Sequence, residues 1–299
     1  YRSLGRNFGF FYNLLVLDGI KMTSHKKIKR IVSLCPSNTE ILGCLGLEKY
    51  LVGIDDDSDW PKNILHLPRC GPDLEIDIQK VKSLHPDLVL ASLSVPGMER
   101  NIEQLDSAGI PYLVLNPKSI SDICSDLRKV SKVMGIPEHG EQVVKQFQRR
   151  LQEIQDRIPK QNKPFRLYWE WWPKPVFTPG GRNWITELSE LAGAINIFGD
   201  IDQDSVQTDW KEVADRQPDY ILVVWTGIDS RRIRKEMFLS RAPWQGLPFA
   251  QEERIYVLEE GWFCRPSPRL LTGLAYLSSI LYPDKFSPPN PDDLFSPTR

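Results

Sequence analysis

The sequence predicts an α/β protein of two lobes, each built on a parallel sheet flanked by helices, with one long helix between them. Three observations predict it. From Lys29 onward, short β-branched runs alternate with helix-like stretches, the signature of a parallel, helix-covered sheet. Two pairs of segments echo each other at a domain-sized spacing: VKSLHPDLVLAS (81–92) beside EVADRQPDYILVVW (212–225), and NTEILGCLGLEKYLVG (38–53) beside NWITELSELAGAINIFG (183–199). In PEHGEQVVKQFQRRLQEIQDRIP, between Pro137 and Pro159, Val143, Val144, Phe147, Leu151, Ile154 and Ile158 recur at threes and fours, so one helical face is apolar. About 20 helical residues span on the order of 30 Å, enough to join two lobes side by side, although an ordinary surface helix of one lobe gives the same pattern.

Taken in order, RIVSL (30–34) reads as a strand and PSNTEILGCLGL (36–47) as a helix. Ser37 and Glu40 supply S-x-x-E, which predicts a capping box satisfying two orphan N–H groups of the first turn. YLVGI, a helix near Ile76 to Leu84, DLVLASL, a helix from Gly97 to Ser107 and YLVLN complete the first half. In the second half FRLYWEWW is a strand, NWITELSELAGAINIFG a helix entering a turn, WKEVADRQPDYILVVW a helix and strand, and RIYVLEE a strand. Ser267 and Pro268 read as N-cap and first residue of a closing helix through Leu281. The expected divisions are an extension outside the fold (1–27), an N-terminal lobe (28–136), the connecting helix (137–160), a C-terminal lobe (161–284) and a poorly ordered Pro-rich tail (285–299).

Composition excludes several classes. With 38 basic and 39 acidic residues the formal charge is −1, and no broad basic face interleaved with aromatics emerges, so nucleic acid is not an expected partner. No run approaches the roughly 18 apolar residues of a membrane helix. Residues 8–17, FGFFYNLLVL, are interrupted by Asn13 and followed by Asp18 without a cleavage site; Met22 is the expected native start, and no export signal is visible on that reading. Cys35, Cys44, Cys70, Cys124 and Cys264 contain no C-x-x-C pair, and His25, His66, His85 and His139 are scattered, so neither a disulfide framework nor a metal site is expected. G-x-S-x-G, the phosphate loop and G-x-G-x-x-G after a strand are all absent. The run DDDSD (55–59) lacks the glycine and terminal glutamate of a calcium loop and reads as a solvated turn.

What remains is a set of aromatic residues and one arginine at strand ends, where ligand contacts concentrate. Trp60 follows YLVGI, Trp225 ends ILVVW, and Trp262, Phe263 and Arg265 lie in EEGWFCRPSPR. Arg265 either pairs with Glu259 or Glu260 or offers a planar, multi-donor cation to a ligand oxygen. In RLYWEWWPKPVFTPGG, period-two alternation sends Trp169 and Trp171 to one face and Tyr168, Glu170 and Trp172 to the other. Trp169 is expected in the core, and Trp171, nearer the strand's end, at a ligand; Trp172 stays unassigned.

RIVSLCPSNTEILGCLGL, DDDSDWP, LHPDLVLAS and GWFCRPSPRLL together resemble the substrate-binding proteins of ABC importers for cobalamin, haem and ferric siderophores, the last motif being similar to the cobalamin-binding branch. The resemblance covers about Lys29 to Pro283. It implies two Rossmann-like lobes joined by one long helix, of the class III periplasmic binding protein kind, with a shallow cleft, no catalytic residue, no cofactor and no metal. It puts Trp60, Trp171, Trp262, Phe263 and Arg265 at the cleft around a corrinoid such as cobalamin as transported ligand, and backbone N–H groups at helix starts such as Ser37 are expected to bind the corrinoid's rim of amides. It also implies a monomer that docks on a membrane permease through Glu75 in GPDLEID and, around TDWKEV, through Glu212, with Lys211 in the neighbouring candidate position. Arg69, Cys70 and Ser92 stand where some cobalamin binders carry tryptophans. Ferric siderophore or haem is the alternative ligand within the class. The family implies an extracytoplasmic location, while the missing export signal leaves open a cytoplasmic corrinoid-handling protein. An enzyme of two Rossmann-like lobes, such as a glycosyltransferase or metallocluster protein, would need clustered cleft carboxylates or cysteines acting together.

Overall fold

A computed structural model describes residues 20, 21 and 27–290; Met22, the segment before Ile20 and the last nine residues lie outside the described residues. The N-terminal half contains β1 (Ile20–Lys21), β2 (Ile31–Ser33), α1 (Pro36–Cys44), β3 (Leu51–Gly53), α2 (Ile78–Ser83), β4 (Leu88–Ser92), α3 (Glu99–Ala108), β5 (Tyr112–Leu115) and α4 (Ile120–Val133). The long helix α5 runs Pro137–Arg157. Then come β6 (Phe165–Glu170), β7 (Trp172–Pro173), β8 (Val176–Pro179), α6 (Trp184–Leu191), β9 (Ala194–Asn196), β10 (Ser205–Thr208), α7 (Trp210–Asp215), β11 (Tyr220–Val223), α8 (Glu236–Leu239), β12 (Ile255–Val257) and α9 (Leu270–Leu281).

The two main sheets have the same plan. In the first the order is β1-β5-β4-β2-β3, and in the second β12-β11-β6-β9, so β5-β4-β2-β3 and β12-β11-β6-β9 correspond strand for strand. All of these pairs are parallel, and only the two-residue β1 lies antiparallel, on β5. Every residue of β4 is buried, because helices cover both faces of a parallel sheet and leave no polar-out alternation. The sequence echoes are repeated local structures. Asp87 Oδ2 accepts from the N–H groups of Lys29 (2.9 Å) and Arg30 (3.0 Å), and Asp219 Oδ2 accepts from Arg166 N (2.8 Å) at the matching strand start. The Arg30 Nη2 donates to Leu84 O, and Arg166 Nη2 to Arg216 O, both at 2.7 Å. His85 and Gln217, two residues before these aspartates, are the two non-glycine residues with positive φ (49° and 47°) among the described residues. Each lobe thus clamps its helix-to-strand turn with the same Arg–Asp device.

The helix α5 is a shared core element and not a surface helix. Val143, Val144, Phe147 and Ile154 belong to one continuous apolar cluster that includes Ile31, Leu88 and Leu113 from the first sheet and Leu167, Trp169 and Leu222 from the second. A rigid helix embedded in both cores limits relative motion of the lobes.

Several expectations need correction. The S-x-x-E at Ser37 is not a capping box: α1 begins at Pro36 with Cys35 as N-cap and no side-chain cap, and both Ser37 and Glu40 are buried. The reciprocal box occurs instead at Ser119 and Asp122, opening α4, a helix the sequence reading did not mark. β10-β8-β7 form an additional antiparallel sheet that the sequence reading did not mark, and β9 adds a strand after α6. The closing helix begins at Leu270, with Ser267 Oγ accepting from Arg269 N (3.1 Å) just before it. Ile20 and Lys21, expected outside the fold, extend the first sheet. In the expected tail, Phe286 is buried with the guanidinium of Arg157 at 4.5 Å from its ring centre. Among the described residues no helix is long and apolar enough to cross a membrane.

Candidate functional site

The C-terminal ends of parallel strands carry the site, as loop geometry favours in open α/β sheets. The segment after β3, the start of α1 after β2, the segment after β11 and the segment after β12 converge on one cavity of about 640 Å³ between the lobes. Asp56, Asp57, Asp59 and Asp73 line it from the first lobe, and Asp229, Glu259 and Glu260 from the second. Against these seven carboxylates stand two guanidiniums, Arg231 and Arg265, and the apolar lining is limited to residues such as Pro36 and Ile228. Among the described residues no aromatic, histidine or cysteine side chain lines this cavity.

Each wall is locally braced. Asp55, fully buried, takes the Asp57 N–H (2.9 Å) on Oδ1 and a short hydrogen bond from Ser58 Oγ on Oδ2, the turn expected for DDDSD. Burial pushes its carboxyl up to about 6, with the bond from Ser58 opposing. Arg69 Nη1 donates to the carbonyls of Asp55 (3.0 Å) and Ser58 (2.6 Å), pinning the backbone of the loop. Under the facing wall, Glu170 receives Arg241 through two bonds (2.6 and 2.7 Å), the Tyr168 hydroxyl (2.9 Å) and Trp225 Nε1 (3.1 Å), all buried. The Arg241 guanidinium also sits 4.4 Å from the ring centres of Trp210, Phe238 and Trp244. This cluster fixes Trp225 immediately before the cavity residues Thr226 to Arg231. Asp229 is held at about 2 by its bonds from Arg231, so that pair is ionised at the rim.

Arg265 is the centre of the arrangement. Its Nη2 lies 3.0 Å from Glu260, and its Nη1 donates to Glu40 (3.2 Å) and Asp59 (2.5 Å). Glu40 also accepts from Arg269 Nη1 (2.7 Å) and, in a short bond, from the Ser267 hydroxyl. A carboxylate from α1 therefore joins three donors from the opposite lobe. Burial alone would lower the Arg265 pKa, but Glu260, Glu40 and Asp59 together raise it well above the ordinary value, so the guanidinium stays charged. Glu260 moves up, chiefly through burial, with Arg265 opposing.

The structure brings together only part of the expected set. Arg265 lines the cavity, and Pro36 places the start of α1 there, but Ser37 itself is buried with its hydroxyl 3.3 Å from Cys35 Sγ. Trp60 packs against α1, where a Cβ on Gly43 would come within 2.7 Å of its ring, and stacks 5.3 Å under Arg269, bracing the joint between the lobes. Phe263 is a correction: it is fully buried and packs on Trp169 at 5.3 Å, because the chain turns its ring inward just before α9. Trp262 is half-buried against Tyr276 (5.5 Å). Trp171 lies 6.2 Å from Trp184, and its carbonyl accepts from the N–H of the cavity residue Thr226 (3.3 Å). Trp169 is core, donating to Ser189 Oγ (2.9 Å), and Trp172 is exposed. Glu75 is exposed beside the cavity residue Asp73. Glu212 is held by Thr208 Oγ1 (2.6 Å) and Arg216 Nε (3.1 Å), and Lys211 by Asp215 (2.8 Å).

Cys35, next to the cavity residue Pro36, has its thiol pushed up to about 12 by burial, which disfavours the nucleophilic thiolate. No group of histidine, cysteine, aspartate or glutamate among the described residues is arranged to hold a metal ion. The acidic lining was missed in sequence, although DDDSD after one strand and EE after the corresponding end of another carried the signal.

Comparison with known proteins places this geometry. An uncharacterised ABC-transporter substrate-binding lipoprotein of Bacillus subtilis is 30% identical over 275 residues, covering 89% of this chain and 83% of its own length. The crystal structure of the periplasmic vitamin B12-binding protein of Vibrio cholerae superposes with a TM-score of 0.71 at 28% identity, covering 85% of this chain and 97% of that one. A periplasmic haem-binding protein of a Roseiflexus species in apo form gives 0.75 at 25% identity, covering 86% and 98%. Residues 31–260 match the family of periplasmic binding proteins. The chain belongs to the periplasmic binding protein family, with substrate-binding proteins of ABC transporters among its homologues.

Proposed function

We propose that this protein captures a corrinoid such as cobalamin in the cleft between its lobes and hands it to the permease of an ABC importer, without catalysis. The observation that carries the reading is the lining of the cleft: seven carboxylates around one buried guanidinium. A corrinoid presents a rim of primary amides, which donate N–H groups to carboxylates and offer a carbonyl to Arg265. Cyanocobalamin is neutral overall, so the acidic lining does not repel it. Haem carries two propionates, which meet like charge here, and its iron takes an axial His, Cys, Met or Tyr, none of which lines the cavity among the described residues. Anionic ferric siderophores meet the same repulsion. The relatives that bind vitamin B12, at 28–31% identity, support the same assignment. The reading extends to an extracytoplasmic site of action, as in the periplasmic and lipoprotein relatives, and to Glu75 as the docking residue of the first lobe. Glu212, already shared between Thr208 and Arg216, supports a second docking contact less well.

Calorimetric titration tests the ligand. Cyanocobalamin is expected to bind one per chain with a low-micromolar Kd or tighter, and haemin at least about 100-fold more weakly. Stoichiometric haemin binding without heat from cyanocobalamin would reverse the assignment.

A further inference from the structure

We propose that Asp59 selects for primary amides over carboxylates on the ligand rim, by occupying Arg265 in the empty cleft and accepting the amide N–H in the filled one. The inference rests on the corrinoid reading above. Three carboxylates surround Arg265, and they differ in freedom. The side chain of Glu40 is 1% exposed and that of Glu260 18%, whereas that of Asp59 is 58% exposed. Glu40 is further held by Arg269 and Ser267. The backbone of residues 55–58 is pinned by Arg69, so Asp59 is able to move by rotating its own side chain without moving the loop. Asp59 and Arg265 both line the cavity. Asp59 is therefore the partner of Arg265 that a ligand displaces at least cost.

The displaced carboxylate stays in the cleft, and its charge decides what replaces it. A primary amide suits both groups at once: its carbonyl oxygen accepts from the Arg265 Nη atoms vacated by Asp59, and its NH2 donates to Asp59. A ligand carboxylate satisfies Arg265 but faces Asp59 with no proton to share, and Glu260, Asp56 and Asp57 add to the repulsion. A site built to accept an N–H rejects the analogue that lacks it far more strongly than an apolar pocket rejects a missing methylene. The carboxamide of Asp59→Asn, by contrast, has N–H groups of its own and accommodates either ligand group.

The test compares cyanocobalamin with its separated monocarboxylic acids, each having one peripheral amide hydrolysed, by calorimetry on the full chain. For the wild type, at least one isomer is expected to bind about 30-fold more weakly than cyanocobalamin, the loss of one charge-assisted hydrogen bond. In Asp59→Asn that ratio is expected to fall to within about 3-fold. A ratio unchanged by the substitution, or no discrimination by the wild type, overturns the proposal while leaving corrinoid binding intact. A second arm needs no ligand: phenylglyoxal modification of Arg265 followed by peptide mapping, with the exposed Arg231 as internal control. Asp59→Ala is expected to raise the modification rate of Arg265 at least about 5-fold relative to Arg231, the release of one exposed ion-pair contact. An unchanged rate shows that Asp59 does not cap Arg265 and overturns the proposal. If the wild type binds no corrinoid, the reading of the ligand fails and the amide preference with it, and the second arm alone then reports whether the cap exists.

Discussion

Substituting Glu40 tests the joint between the lobes most sharply. Its carboxylate, 1% exposed, accepts from Arg265, Arg269 and Ser267 across the lobe boundary. Glu40→Gln keeps the volume but removes the charge facing two guanidiniums whose side chains are each 10% exposed. Arg265 retains Glu260 and Asp59, but among the described residues Arg269 is ion-paired with Glu40 alone. Breaking one side of a buried pair costs about 3 to 5 kcal/mol, because the remaining charge is left uncompensated. The retained carbonyl of glutamine still accepts one bond, which places the expected loss near 3 kcal/mol. Urea unfolding followed by tryptophan fluorescence measures it, with the midpoint falling and the slope unchanged. Arg269→Met in the Glu40→Gln background should then recover part of the loss, since the orphaned charge is gone. A loss below about 1 kcal/mol for Glu40→Gln, or strict additivity of the two substitutions, would refute the claim that Glu40 ties the lobes together.

Asp126, 2% exposed, has its carboxyl raised from 3.8 to about 6 by burial, with Lys129 opposing only in part. A carboxyl with a raised folded pKa binds its proton more tightly in the folded state, so stability is lost as pH rises from about 4 through 6. Asp126→Asn is expected to match the wild type at pH 4 and to exceed it by about 2 to 3 kcal/mol at pH 7.5, read from urea midpoints at both values. Equal stability at pH 7.5 contradicts that reasoning. Phe263→Leu should cost about 1.5 kcal/mol while leaving cyanocobalamin affinity within about 3-fold, as a core and not a cleft residue requires. A larger affinity loss at preserved fold would return Phe263 to the ligand. Glu75→Arg is expected to leave ligand affinity in solution unchanged and to lower cobalamin-dependent growth of cells relying on this protein; normal uptake argues against docking there.

Much of the fold is legible because parallel sheets and a long amphipathic helix write their pattern locally. The runs at β2, β4 and β11 are short and mostly apolar, with Val or Ile in each, β6 is rich in aromatic residues, and α5 shows its buried face at threes and fours. The paired turns before Asp87 and Asp219 are visible as L-H-P-D and R-Q-P-D. Other elements were hidden for stated reasons. β8 sits inside WPKPVFTPGG, where three prolines and two glycines signal turns, and its partner β10 lies about 30 residues further on. The S-x-x-E spacing at Ser37 has a local reading and a distant one, and the distant one wins: Glu40 meets Arg265, Arg269 and Ser267 some 225 to 229 residues away. Nothing within a window of sequence reports such a contact. The sequence reading looked for ligand contacts at strand ends, where the cavity lies, but it expected aromatic walls and not acids. Large rings dominate core burial, and Phe263 and Trp169 went there, while the acids after β3, β11 and β12 gathered at the cavity.

The acid-lined cleft is proposed to hold a corrinoid. The most direct test is the absorption spectrum of the protein recovered from a culture supplied with cyanocobalamin and haemin together, then washed free of unbound ligand. Corrin bands corresponding to about one chromophore per chain are expected from a single inter-lobe site, with no Soret band. A Soret band, or a colourless protein, would contradict it.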